Sequence, residues 1–385
     1  MNDEAQSTDI SNSHLLCGIF ACTSVELCPE TEHPHAATIQ AQFNWGKYDN
    51  EKPGQMNIVA SRILNTWRAH GISETGEEKN SVINGISAPI VSDETSDALI
   101  PFRLKGGEYK VFAINTHDRL VIDSLNCYLT HPEATVDTLY LHMLETSRDD
   151  IKELQGLNLP DFNPTYRYIK NPGRIFYGIN KDVTIETGQP QVLHFDMQPV
   201  SQEIQVKFSV KKTGTLKNEI NIEQVVAEIS GVCGRLNIAD AYLDTDRLYR
   251  MVFSFDNLQI ETNGDVSTYS TTFYTMGIVP SPKENLLVGQ GILQIAVKAS
   301  VPKPGDNKTL LKRFFYAAGN PRQTLVDAQL IEQRENGKSY LRYQEKPVVI
   351  EMGTMLEIDS QEIIDHKDEN TWEDQDKDDD IDIEM

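Results

Sequence analysis

Two histidines one residue apart, His33 and His35 in EHPHAA, are the side chains whose spacing best suits joint chemistry. An extended segment would turn both imidazoles to one side, with Glu32 beside them as an oxygen ligand for a metal ion. A closed site needs four ligands, and no further one stands at a fixed spacing, so the pair reads as the start of a strand. The acidic C-terminus sets Asp374, Asp376 and Asp378 at the first, third and fifth positions of a calcium loop. Asp379 then replaces the turn glycine and Met385 the bidentate glutamate, which leaves a solvated tail.

Catalytic patterns fail in the same residue-by-residue way. Gly337-Lys338-Ser339 resembles the end of a phosphate loop, but Glu332 occupies the position where the cradle needs its first glycine. GVCG, Gly231 to Gly234, lacks the third glycine and the βαβ context of a dinucleotide site. HExxH, GxSxG and CxxC do not occur, and none of the nine histidines pairs with a cysteine as base and nucleophile. These absences lead to the expectation of a protein that is not an enzyme, with no cofactor, metal or catalytic residues.

The formal net charge is -23, and twelve of the acidic residues, against two lysines, fall between Gln361 and Met385. Nucleic-acid binding needs clustered cations to neutralise phosphates. The only adjacent basic pairs are Lys211-Lys212 and Lys312-Arg313, so no nucleic-acid partner is expected. Cys17, Cys22, Cys28, Cys127 and Cys233 are too few and too spread for a disulfide scaffold. No apolar run reaches the length of a transmembrane helix, so contact with a membrane would need an anchor. Ile19-Phe20-Ala21-Cys22 supplies a candidate: apolar, variable, small, then cysteine is the pattern at which a bacterial lipoprotein signal is cleaved and lipidated. No Lys or Arg precedes it, which departs from the basic start of such a signal.

The elements around these residues alternate with period two. Ile204, Val206, Phe208 and Val210 in EIQVKFSV, Met251, Phe253 and Phe255 in RMVFSF, and Leu139, Leu141 and Met143 in TLYLHM each put one set of side chains toward a core. Turns such as Asn171-Pro172-Gly173, Asn263-Gly264 and Pro304-Gly305-Asp306 separate the runs. Helix is expected only at Ser147 to Leu154 and, as a turn, near Asn221 to Ile229. The pattern predicts an all-β chain of two tandem β-sandwich domains. They divide as an N-terminal segment 1–30, a first sandwich 31–200, a second 201–360 and an acidic, flexible tail 361–385.

The order of several motifs resembles the fimbrillin-like and fimbrial-anchor-like surface lipoproteins of Bacteroidales. Those motifs are IFAC, Glu26 to Cys28, His33 to His35 and Phe43 to Trp45, then LKGGEYKVFAIN (Leu104 to Asn115), VVAEISGVCGRLNI (Val225 to Ile238) and VVIEMGTMLEI before the acidic tail. The resemblance implies Greek-key, transthyretin-like sandwiches, export, and a lipid at Cys22 holding the chain to the outer membrane at the cell surface. It also implies assembly with other fimbrial or surface subunits through β-strands. The alternative is a glycan-binding module in which Trp45, Trp67, Tyr166, Tyr168 and Tyr177 form a stacking platform. Core or cross-strand packing of those rings is the reading favoured over it.

Overall fold

The computed structural model describes residues 36–53, 55–65, 78–89, 100–115, 120–122, 140–155, 165–255, 259–353 and 355–366. The chain is all-β, as its alternation requires. In the strand Gln202–Thr213 the residues Ile204, Val206, Phe208 and Val210 are buried, while the residues between them stand half-exposed. The stretch expected to turn near Asn221 is instead the strand Asn221–Cys233. Its Ile222, Val225, Val226 and Ile229 carry branched side chains that suit a pleated surface, and from Val225 onward it is buried on both faces. The candidate helix Ser147 to Leu154 becomes two 3-10 turns, Arg148–Asp150 and Lys152–Leu154. The Ser147 hydroxyl donates to Asp150 at 2.6 Å there.

The chain forms two compact units, but not as contiguous halves. The first holds residues 1–116, 124–136 and 177–198, the second 117–123, 137–176 and 199–385. This differs from the expected 31–200 and 201–360 division for a physical reason. Tyr140–Met143 pairs with Arg235–Asn237, and Arg167–Ile169 pairs in parallel with Leu248–Ser254, so strands early in the chain belong to sheets of the later unit. The last crossing lies between Gln198 and Pro199, in the proline-containing stretch before Gln202.

In the first unit, Ala37–Asn44 lies between Gln191–Asp196 and Ile100–Leu104. A second sheet runs Phe176–Ile185, Gly107–Asn115, Gln55–Asn65, Glu78–Pro89. Gly178 keeps these layers close: a Cβ there would stand 2.8 Å from the Met197 sulfur and 3.2 Å from Phe195 Cβ.

The second unit has three sheets. One six-stranded sheet runs Asp306–Gly319, Leu293–Lys303, Asn221–Cys233, Leu248–Ser254, Arg167–Ile169, Glu145–Thr146. It packs on the sheet built from Gln259–Asn263, Val266–Thr275, Gln202–Thr213 and the parallel strands Val348–Glu351 and Leu356–Asp359. Their shared core is aromatic: Phe253 stacks on Phe273 with centroids 4.4 Å apart, and Phe208 meets Phe255 edge-on at 5.2 Å. Such pairs add about 0.5–1.5 kcal/mol each beyond the area they bury. The third, smaller sheet contains Leu120–Ile122, Tyr140–Met143, Arg235–Asn237, Tyr242–Leu243, Ser339–Leu341 and Ile331–Gln333.

Candidate functional site: a clasped loop and a terminal strand

Most residues singled out in the sequence fall outside the described residues: Cys22, Glu32, His33, His35, Trp67, Cys17, Cys28, Cys127 and the aspartates of the tail. The aromatic platform is not assembled by those that are described. Trp45, Tyr168 and Tyr177 are buried, at 5%, 3% and 7% exposure, and Tyr166 is half-buried. Burial thus takes the rings of Trp45, Tyr168 and Tyr177 away from solvent. Gly337 sits at φ +74° in a turn leading into a short strand, as the missing cradle implied. Cys233 is fully buried, and desolvation pushes its thiol up to about 12, so it is not a nucleophile in the folded chain.

What the structure builds instead lies at one end of the second unit. The strand Asn221–Cys233 slips register against Leu248–Ser254 between Ser230 and Val232, which makes Gly231 the bulged residue. Gly231 has φ +77°, and a Cβ on it would lie 2.5 Å from the Gly291 nitrogen and 2.8 Å from the Val279 carbonyl. Gly291, at φ +71°, has the same constraint: its Cβ would stand 2.6 Å from the Ser281 nitrogen. Three backbone segments therefore cross where only glycine fits. Hydrogen bonds close the crossing. Ser230 N–H donates to Ile292 O at 3.0 Å, Val279 N–H to Gly231 O at 2.8 Å and Cys233 N–H to Gly277 O at 2.8 Å. The Ser230 hydroxyl donates to Gly289 O at 2.6 Å.

This clasp holds the loop from Pro280 to Gly291. Asn320, the residue after the strand Asp306–Gly319, turns its amide nitrogen to three loop carbonyls: Lys283 at 2.8 Å, Glu284 at 3.0 Å and Leu286 at 2.8 Å. Arg322 donates to Ser281 O at 2.5 Å, and Gln290 to Pro280 O at 3.0 Å. The loop so ordered holds Leu287 and Val288 in solvent, 41% and 48% exposed.

Asp306–Gly319 is the terminal strand of its sheet. It pairs with Leu293–Lys303 on one side, and no described strand pairs with the other. At fourteen residues it is the longest strand described. On its outer face Leu310 and Tyr316 are 47% and 39% exposed, with Phe314 half-buried between them and Lys312 alternating.

The titratable groups nearby serve packing. Tyr168 donates to Glu228 at 2.8 Å, Arg250 lies 3.5 Å from the same carboxylate, and the guanidinium covers the Tyr168 ring at 4.0 Å. Burial, then the charge of Glu228, raises the Tyr168 hydroxyl well above its ordinary value. Glu145 ties Arg167, Arg247 and the Tyr249 hydroxyl at 2.6, 3.1 and 3.2 Å. An open polar groove of about 550 Å³ beside it, lined by Asp150, Lys152, Lys170 and Thr272, brings no acid and base together on a reacting centre. Among the described residues no three or more His, Cys, Asp or Glu are grouped to hold a metal ion, and no helix is long and apolar enough to cross a membrane.

The sheets and their clasp define an all-β protein of the sandwich class. No family model matches the chain, and no curated protein does. Solved structures do. A candidate adhesin from Bacteroides ovatus is 11% identical, over 85% of this chain and 93% of that one, with a TM-score of 0.42. The fimbrial anchor protein Mfa2 from Porphyromonas gingivalis is 12% identical over 76% and 84%, with a TM-score of 0.35. A candidate polysaccharide-binding protein from Bacteroides thetaiotaomicron is 12% identical over 84% and 90%, with a TM-score of 0.36. At this degree of overlap the likeness carries no argument about function, which rests on the residues of the chain itself.

Proposed function

We propose that this chain is a non-catalytic structural or anchoring subunit of a bacterial cell-surface assembly, joined to neighbouring subunits through β-strand pairing. The observation that carries the reading is the fourteen-residue terminal strand Asp306–Gly319, whose second edge is paired by no described strand. An open row of backbone donors and acceptors is a template for an incoming strand, and proteins that do not use such an edge keep it short or cover it. The absence of chemistry is supported by the use to which ionisable clusters are put: Glu228 and Arg250 are enclosed in packing, and Glu145 is held by two arginines and a tyrosine. Attachment to the outer membrane through a lipid on Cys22 completes the reading.

Two measurements test it. Hydrogen exchange read along Asp306–Gly319 should show fast exchange at alternate amides in the dilute chain and protection of those amides in the assembled form. Unchanged exchange on assembly removes strand pairing at this edge. Mass spectrometry of membrane fractions should find a diacylated mature N-terminus at Cys22, and an unprocessed Met1 would remove the anchor.

A further inference from the structure

The open groove beside the Glu145 cluster is built where strands of two sheets in the second unit outrun their neighbours. Arg167–Ile169 stops opposite Met251, while its partner Leu248–Ser254 continues to Ser254. In the other sheet Gln259–Asn263 reaches only to Ser270, while Val266–Thr275 continues to Thr275. The gap these ends leave is flanked by the 3-10 turns of residues 148–154 and amounts to about 550 Å³. Small organic ligands are held in pockets of about 300–1,000 Å³. Main-chain groups at the gap are already answered by side chains: the Thr271 hydroxyl donates to Ser254 O at 3.1 Å, and Asn171 Oδ1 accepts from Tyr274 N–H at 3.2 Å. An incoming strand would find these groups taken, which separates the groove from the edge of Asp306–Gly319.

What the groove presents instead is side-chain heads of both kinds. Lys152 and Lys170 only donate, ionised Asp150 and Glu153 only accept, and the Thr272 hydroxyl does both. The Ser147 hydroxyl fixes the Asp150 carboxylate at 2.6 Å. Among the described residues no ion pair or hydrogen bond engages the heads of Lys152, Lys170, Glu153 or Thr272. Other carboxylates of the unit are held by cations: Glu145 by Arg167 and Arg247, Glu223 by Lys298 and Lys312. Two cations against two anions give a phosphate, sulfate or carboxylate ligand no excess of positive charge to seek. Ile151, Ile169 and Phe253 line the groove but are buried, so a fatty chain finds little surface to cover. A neutral carbohydrate fits both conditions, because each of its hydroxyls donates and accepts and its C–H face needs only a small apolar contact such as half-buried Val252. We propose that this groove binds a short neutral oligosaccharide through Lys152, Lys170, Glu153 and Thr272. Trp45, Tyr168 and Tyr177 take no part, so hydrogen bonds carry the affinity and the expected Kd is between about 0.1 and 1 mM.

The test titrates the full chain in saturation-transfer-difference NMR with maltotriose, cellotriose, mannotriose and triacetylchitotriose as neutral probes and trigalacturonate as an anionic one. At least one neutral probe should bind with a Kd no weaker than about 1 mM, and trigalacturonate should bind more weakly than that probe. The variant K170A/T272V changes two exposed side chains of the groove and should weaken the bound sugar at least about tenfold. K308A, at an exposed lysine on the strand Asp306–Gly319, should bind as wild type does. A wild type that binds no neutral probe at about 10 mM, a groove variant that binds as wild type does, or a preference for trigalacturonate overturns the proposal. E153Q repeats the test should K170A/T272V fail to keep its wild-type circular dichroism. Sugar binding here and strand pairing at Asp306–Gly319 use different residues, so either reading can fail while the other stands.

Discussion

The clasp and the terminal strand belong to the same sheet and treat the backbone in opposite ways. At the clasp, Ser230 alone is engaged through its N–H, its carbonyl and its hydroxyl, and two glycines are forced into left-handed conformations by neighbouring main chain. Along Asp306–Gly319 no described strand pairs with the second edge, and Leu310 and Tyr316 stand exposed on one face. Over-determination where strands cross and under-determination where the sheet ends show where this unit commits its stability and where it keeps a surface in reserve. Substitutions should therefore cost much near the clasp and little along the strand, and a uniform cost would erase the distinction.

The largest effect is expected at Arg250, which pairs with Ser230 on one side of the bulge. Arg250→Met removes the ionic partner of Glu228, which is buried at 5% exposure, and should cost about 3–5 kcal/mol in chemical denaturation. Adding Glu228→Gln to it should recover a large part, because the Tyr168 hydroxyl still has an amide oxygen to meet. Gly231→Ala comes next, at about 3 kcal/mol, since its Cβ would collide with the main chain of Gly291 and Val279 and neither is a flexible side-chain end. A loss under about 1 kcal/mol would mean that the crossing can open, and with it the claim that the loop is held. Asn320→Ala should cost about 1–2 kcal/mol and, more tellingly, raise hydrogen exchange across Lys283 to Val288 without changing it in Leu293–Lys303.

The acid limb of stability tests the polar edge of the same sheet. Burial works against an ionised Glu145, yet the hydrogen bond from Arg167, then those of Tyr249 and the charge of Arg247, hold its carboxyl below the ordinary value of 4.5. A group lowered in the folded state contributes stability that is present above its unfolded pKa and lost as pH falls through the folded one. Denaturation midpoints should therefore fall below about pH 4.5 in wild type, and Glu145→Gln should be less stable near neutrality and flatter through that window. Parallel curves for the two proteins would show that the arginine cluster is decorative.

Much of the fold was legible because period-two burial has one physical cause, a strand with a wet face and a dry one. Ile204 to Val210 alternates just as it should. The pattern is silent where both faces are buried, as in Asn221–Cys233, where a continuous run of apolar and small residues can be taken for a turn or helix. The division into units was illegible for another reason: Tyr140–Met143 and Arg167–Ile169 join partners far along the chain, and pairing at that separation leaves no local mark. Of the site, SGVCG was visible as a motif, and the bulge explains its glycine. Asn320 was not, since a residue before a proline in a turn gives no hint that its side chain will gather three carbonyls from a loop more than thirty positions earlier.

The smallest expected effect sharpens the comparison most. Leu310→Ser, on the open strand, exchanges a half-exposed leucine for a hydroxyl that water can satisfy, so its cost to folding should lie within about 0.5 kcal/mol. The position opposite it, Pro302, makes no N–H that the change could orphan, and the pairing of the hairpin continues on either side. A denaturation midpoint within error of wild type would separate the open strand from the clasp on one side chain. A loss above about 1.5 kcal/mol would mean that Leu310 is packed against part of its own chain and that this face of the strand is covered.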